Sequence, residues 1–193
     1  MLSHKQLFMY FPMKKILFAT TLWTAAVLTP AFAQHHGHAH VQHATHGQHN
    51  PYAGMQDREI KALSEQQMQG LRSGKGMAMA MPAELNGYPG PLHTLELASQ
   101  LGLTSEQEAQ TNQLFAQMQQ EAKAQGEKVI EAERELNALF AQKQATPESV
   151  SAAVSTAASA QGKLRETHLR YHLSMMQVLS REQVAAYNKI RGY

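Results

Sequence analysis

The sequence contains no cysteine among its 193 residues. Without thiols the chain cannot form disulfides, cysteine-ligated zinc sites, iron–sulfur clusters, a catalytic thiol or a lipid anchor on cysteine. A strong excess of either charge is also missing, because 17 basic residues face 15 acidic ones. So small a charge gives no electrostatic footprint for nucleic acid. The composition therefore excludes thiol chemistry and argues against a nucleic-acid partner.

Enzyme motifs are missing as well. The sequence holds no glycine-rich loop between a strand and a helix, and no nucleophile elbow. Glu127, Glu131 and Glu135 recur at four-residue steps beside Lys128 and Arg134, a pattern typical of a solvated helix face. We therefore predict that the protein is not an enzyme and takes no organic cofactor.

Histidine and methionine are abundant, with eleven of each. Seven of the histidines lie between His35 and His49, in a stretch rich in Gly, Ala, Gln and Thr without apolar periodicity. Such a composition predicts a disordered tail over residues 34–56. The concentration of imidazoles in this tail points to metal chemistry.

Residues 1–33 have the pattern of a secretory signal. Lys14 and Lys15 precede an apolar stretch of about a dozen residues, which ends at Pro30 and an Ala-x-Ala sequence. A membrane anchor is the alternative, but the apolar run is short for a span and no positive charges follow it. We therefore expect cleavage after Ala33 and a periplasmic location. Removal of three lysines leaves 14 basic and 15 acidic residues, a net charge of −1.

Residues 57–193 carry helical patterns and no strand pattern, which predicts an all-α domain. A short helix is expected over residues 57–72, with Ile60, Leu63, Met68 and Leu71 as its apolar face. Another is expected from Pro91 to residue 101, where Gly102 ends it. A last short helix follows a capping box that begins at Ser180.

Two long helices are predicted to make up most of the domain. Thr104 and Gln107 make a capping box for the first, and Thr146 with Pro147 starts the second. Apolar residues then recur at three- and four-residue steps, which keeps one stripe facing a partner helix. The stripes are Phe115, Met118, Ala122, Val129, Ala132, Leu136 and Leu139 in the first helix, and Val150, Val154, Ala157, Leu164, His168, Tyr171, Met175 and Val178 in the second. The short connection 142–146 makes the pair an antiparallel hairpin.

Self-association is expected because one hairpin cannot bury both faces of its apolar seam. Leu114, Ile130 and Phe140 lie off the main stripe of the first long helix. We therefore predict a homodimer or a higher oligomer, in which two hairpins complete the core.

Two repeated caps carry a family resemblance. The first is built on Leu103, Thr104 and Gln107, and the second on Leu179, Ser180 and Gln183. They resemble the paired LTxxQ motifs of the Spy/CpxP family of exported proteins, which includes the zinc-resistance-associated protein and the periplasmic heavy-metal sensors. The segment 86–91 and the tail 191–193 are similar to the heavy-metal-sensor branch.

The resemblance implies a hooked helical hairpin that dimerises or forms a larger ring. It also implies a class of activities: ATP-independent holding of unfolding envelope proteins, metal binding during envelope stress, and damping of a membrane sensor kinase. A simple metal buffer without chaperone activity is a further alternative. We expect a periplasmic metal-binding stress protein with chaperone-like activity that contributes to heavy-metal resistance.

The histidine tract is the first candidate metal site. Imidazole binds zinc, copper(II) and nickel(II), and a flexible chain can wrap several ligands round one ion. A solvated tail without function, or a purification tag, is the alternative, but the irregular spacing and the preceding signal argue against a tag. The candidate ligands are His35, His36, His38, His40, His43, His46 and His49. The expected ion is divalent, zinc or copper first, with nickel as the alternative.

A second candidate lies in the last long helix. His168 and His172 are four residues apart, so their rings share one helix face, and Met175 lies one turn further. Leu169 stands where the HExxH motif has its catalytic Glu, so this is no metalloprotease site. His93, beside the Pro-rich turn, is a further candidate ligand. The alternative is that His168 packs in the seam and His172 lies on the surface.

Met77, Met79 and Met81 form an alternating run. Thioethers prefer soft monovalent ions, so copper(I) or silver(I) is one interpretation. The other, which we favour from sequence, is a loop or strand-like segment that fills a hydrophobic groove with flexible side chains.

Overall fold

The computed structural model describes residues 51–193, and every structural statement below concerns that range. The expected signal over residues 1–33 and all seven histidines of the tract lie outside it. The predictions made for those residues stay predictions.

The described residues form seven α-helices and no strand, which confirms the all-α prediction. A short 3₁₀-helix at Met55–Asp57 precedes them. The helices are α1 (Glu65–Ser73), α2 (Met81–Glu84), α3 (Pro91–Glu96), α4 (Ala98–Leu101), α5 (Ser105–Ala141), α6 (Pro147–Val178) and α7 (Arg181–Arg191). None of them is long and apolar enough to cross a membrane.

The hairpin is formed by α5 and α6, which pack against each other along most of their length. Thr104 and Thr146 cap them as predicted, each side chain accepting a hydrogen bond from a backbone N–H three residues further on. The connection 142–146 turns the chain with Lys143 in the left-handed region. The predicted boundaries of both long helices are confirmed.

The first short helix begins later than predicted. Its α-helical part starts at Glu65, because Ser64 and Gln67 form a capping box there, and the preceding residues 58–64 are turns and extended backbone. Ile60 and Leu63 are nevertheless buried, together with Met68 and Leu71. The second predicted helix is also interrupted, since the backbone at Leu97 leaves the helical conformation and divides it into α3 and α4.

The main core lies where α1 covers the hairpin. Ile60, Leu63 and Leu71 pack with Val129 and Ile130 of α5 and with neighbouring residues of α6. Ile130 is fully buried inside the same chain, so it leaves no apolar surface for a partner. Of the three off-stripe residues, Phe140 is the one that stays largely exposed.

The two repeated motifs meet at the base of the hairpin. The amide of Gln107 donates to Oε1 of Gln183 at 2.8 Å, and the amide of Gln183 donates back to Oε1 of Gln107 at 2.9 Å. Each Oε1 also accepts its own N-cap backbone N–H, from Thr104 and from Ser180 respectively. The pair therefore ties the start of α5 to the start of α7.

Candidate metal-binding pocket

A pocket of about 640 Å³ is lined by residues of the hairpin and of the short segments packed against it. It lies between the loop after α1, the short helices α2 and α3, and the facing sides of α5 and α6. The possible donors in its wall are His93, His168, His172, Glu84, Met77, Met81 and Met118. It thus gathers the three histidines that sequence reasoning singled out in this part of the chain.

His172 is held by the turn that precedes α3. Its Nδ1–H donates to the backbone carbonyl of Tyr88 at 2.7 Å. Because a carbonyl only accepts, Nδ1 carries the proton of this bond, and in the neutral form of the ring Nε2 is the nitrogen with a free lone pair. Gly90 makes room for the ring, since a Cβ there would lie 3.0 Å from Nε2. His172 is therefore buried, and the surface position considered from sequence is wrong.

His168 is even less accessible, with 3% of its surface exposed. Its Nε2 is buried without a hydrogen-bond partner. Burial, followed by the nearby charge of His172, lowers the pKa of His168 below its ordinary value. The ring is therefore neutral at pH 7, the form in which imidazole binds a metal.

His93 reaches the pocket from α3 and donates from Nδ1 to Oε1 of Glu84 at 3.1 Å. A carboxylate on one ring nitrogen fixes the tautomer and leaves the other nitrogen as a donor to a metal. His93 thus lines one pocket together with His168 and His172.

Glu84 is the residue that sequence reasoning missed. It is buried, and its carboxylate accepts hydrogen bonds from the Tyr187 hydroxyl and from His93 and lies 3.4 Å from Nε of Arg191. Burial of Tyr187, followed by the hydrogen bond from its hydroxyl to Glu84, raises the pKa of that hydroxyl. No helical spacing relates Glu84 to the histidines along the chain, so the packing of α2 and α3 against α6 brings them together.

The methionines of the alternating run separate. Met77 and Met81 line the pocket and are 40% and 50% exposed. Met79 instead packs against the hydrophobic core. Met175 is fully buried and does not line the pocket. Met118 of α5 lines it too, although its place in the apolar stripe gave no reason to expect a donor role.

The donors share a pocket without forming a finished cage. Within residues 51–193, no three His, Asp or Glu side chains are placed to hold a metal ion together. The unpartnered Nε2 of His168 and the neutral imidazole and thioether donors nevertheless fit a heavy-metal ion chemically. These residues are the ones that would hold a bound ion.

Comparison with known proteins gives the family. Neither a curated protein nor a solved structure matches the chain. A model of a family described as heavy-metal resistance matches residues 76–186, more than half of the sequence. That segment contains the pocket histidines and both repeated motifs. The chain therefore belongs to the heavy-metal-resistance family, that of the Spy/CpxP-like LTxxQ proteins.

Proposed function

We propose that this protein is exported to the periplasm, binds heavy-metal ions there and contributes to metal resistance as a stress protein. The observation that carries the proposal is that three imidazoles line one pocket of a heavy-metal-resistance domain. Every histidine after residue 33 belongs either to the tract or to this pocket. The expected ions are zinc and copper, with nickel as the alternative.

Calorimetric titration with zinc, copper(II) and nickel(II) tests this proposal on four forms of the chain from residue 34. They are the parent, a tract variant with seven His→Asn changes, a pocket variant with His93, His168 and His172 changed to Asn, and a variant with both sets. Each set should remove part of the binding, and the histidine-free chain should bind nothing above background. A parent chain that binds no metal would contradict the proposal.

ATP-independent holding of unfolded envelope proteins is a second proposed activity. It is supported by the apolar rim of the pocket, where Met81, Leu85, Leu92 and Tyr193 are each more than two-fifths exposed. Exposed apolar surface of this kind marks interaction sites. Light scattering of a denatured client at equimolar ratio tests the activity. If the aggregation of the client is unchanged, the remaining candidate functions are a simple metal buffer and an accessory regulator of a membrane sensor kinase.

A further inference from the structure

Two thioethers lie in the same pocket wall as the imidazoles. Met77 lies in the loop between α1 and α2, and Met81 begins α2. Met79, between them, packs on the core and serves as a built-in comparison. The alternating run therefore contributes its first and third methionines to the pocket and its second to the fold.

The backbone holds Met77 in an unusual conformation. Met77 and the following Ala78 both have positive φ angles, 41° and 63°. Such angles strain residues other than glycine and persist only where the surroundings enforce them. The Met77 side chain lies against Gly70, where a Cβ would come within 2.6 Å of its sulfur. Gly70 thus makes room for the Met77 thioether.

The pocket has no free negative charge to balance a divalent cation. Glu84 is the one acidic residue in its wall within the described range. Arg191, Tyr187 and His93 already engage the Glu84 carboxylate, and Lys75 adds a positive charge to the lining. The cost of removing an ion from water rises with the square of its charge, so a pocket without a free counter-charge prefers a monovalent ion to the divalent ions that its imidazoles can also bind.

The remaining donor is the imidazole of His168. It lies against Gly76, where a Cβ would be 3.8 Å from Nδ1, so the ring is next to the residue that precedes Met77. Its buried Nε2 has no protein partner. Thioethers with a neutral imidazole are a soft donor set, which selects copper(I) over zinc.

From this arrangement we propose that the pocket binds a soft monovalent ion, copper(I) or silver(I), through the thioethers of Met77 and Met81 and the imidazole of His168. The inference rests on the proposed heavy-metal binding and names the ion that the pocket prefers. The ion enters and leaves as the monovalent cation, so no electron is transferred.

Silver(I) is the air-stable probe for the test. The tract variant is labelled with ¹³C at the methionine methyl groups and titrated with silver nitrate in chloride-free buffer. The methyl resonances of Met77 and Met81, assigned with Met77→Leu and Met81→Leu, should shift. Those of Met79 and Met175 should not. In the tract variant, the double Leu change should weaken silver binding at least tenfold. The Met79→Leu change should leave silver binding as it is in the tract variant.

Several results would overturn the inference. Silver binding that is unchanged in the double Leu variant would assign the ion to other donors, the imidazoles or Met118. If silver leaves the methyl resonances of Met77 and Met81 unmoved while zinc still binds the same chain, the soft site is refuted. The proposed metal binding then remains intact. A tract variant that binds neither zinc nor silver would refute the soft site and the pocket's share of the proposed metal binding. Leu is close to Met in volume, so the double variant should fold. An unchanged circular dichroism spectrum would verify that it does.

Discussion

At the level of single residues, two glycines in the long helices form a matched pair. A Cβ at Gly126 of α5 would lie 2.3 Å from the backbone carbonyl oxygen of Leu71 in α1, whereas a Cβ at Gly162 of α6 would meet nothing within 4 Å. Gly126→Ala should therefore destabilise the protein by about 1–3 kcal/mol, because α1 must move away. Gly162→Ala should stabilise it by about 0.5–1 kcal/mol through helix propensity.

Urea denaturation of both variants measures these changes. Opposite signs for the same Gly→Ala change are the expected result. A neutral Gly126→Ala variant would show that α1 does not pack on α5 as closely as described.

His168 makes stability depend on pH. Its pKa in the folded state is lowered, chiefly by burial and further by His172, so below pH 6.5 the unfolded chain takes up a proton that the folded chain refuses. The free energy of unfolding should therefore fall as the pH drops from 7 towards 5.5, by at most about 1.4 kcal/mol per pH unit from this group. Denaturation with a chelator present should show a weaker pH dependence for His168→Gln. An identical profile would contradict the account.

Sequence reasoning found the pocket histidines but not the carboxylate between them. The four-residue spacing of His168 and His172 was sufficient, because a helix of this length is strongly predicted and the spacing fixes a shared face. The position of Glu84 in the pocket depends on where short segments fold back against the hairpin. The same holds for the placement of Met77 and Met81 in the pocket wall and of Met79 on the core. Local sequence does not determine such placements, since they follow from packing against α5 and α6.

At the level of helices, the repeated glutamines explain more than capping. Gln107 accepts the Thr104 N–H and also donates to the Val178 carbonyl at 2.9 Å and to Gln183. Gln107→Glu keeps the acceptor but loses both donors, so it should cost about 1–3 kcal/mol. Gln67→Glu is the control, because the side chain of Gln67 bonds only within its own capping box in α1. That change should stay within about 0.5 kcal/mol.

Thermal unfolding of the two glutamate variants makes this comparison. If Gln107→Glu and Gln67→Glu unfold at the same temperature, the contact between the two motifs contributes nothing to stability. The capping boxes themselves were readable from sequence, because Ser or Thr followed by Gln at the third position is a local signal. The reciprocal bond between two motifs 76 residues apart was not, since it needs the hairpin to bring them together.

For the predicted helix over residues 57–72, the sequence indicated the buried residues correctly but not the start of the helix. Its four apolar residues are buried as expected, yet half of the segment is not helical. Apolar periodicity predicted which residues enter the core, and the capping box at Ser64 and Gln67 was the overlooked signal for where the helix begins.

At the level of the assembled chain, we still expect a homodimer or larger oligomer. Burial of Ile130 removes one reason for that expectation, but Phe140 and Val154 remain 59% and 48% exposed towards the connected ends of α5 and α6. Light scattering coupled to size-exclusion chromatography should give at least twice the chain mass, and Phe140→Glu with Val154→Glu should lower it. A folded monomer in the parent chain would exclude the oligomer.

The pocket itself admits the most direct test. Crystals of the tract variant grown without oxygen in the presence of copper(I) would be measured on both sides of the copper absorption edge. The account predicts one anomalous peak inside the pocket, within bonding distance of the Met77 and Met81 sulfurs and the His168 ring. A pocket without copper in crystals that carry the ion elsewhere would contradict it.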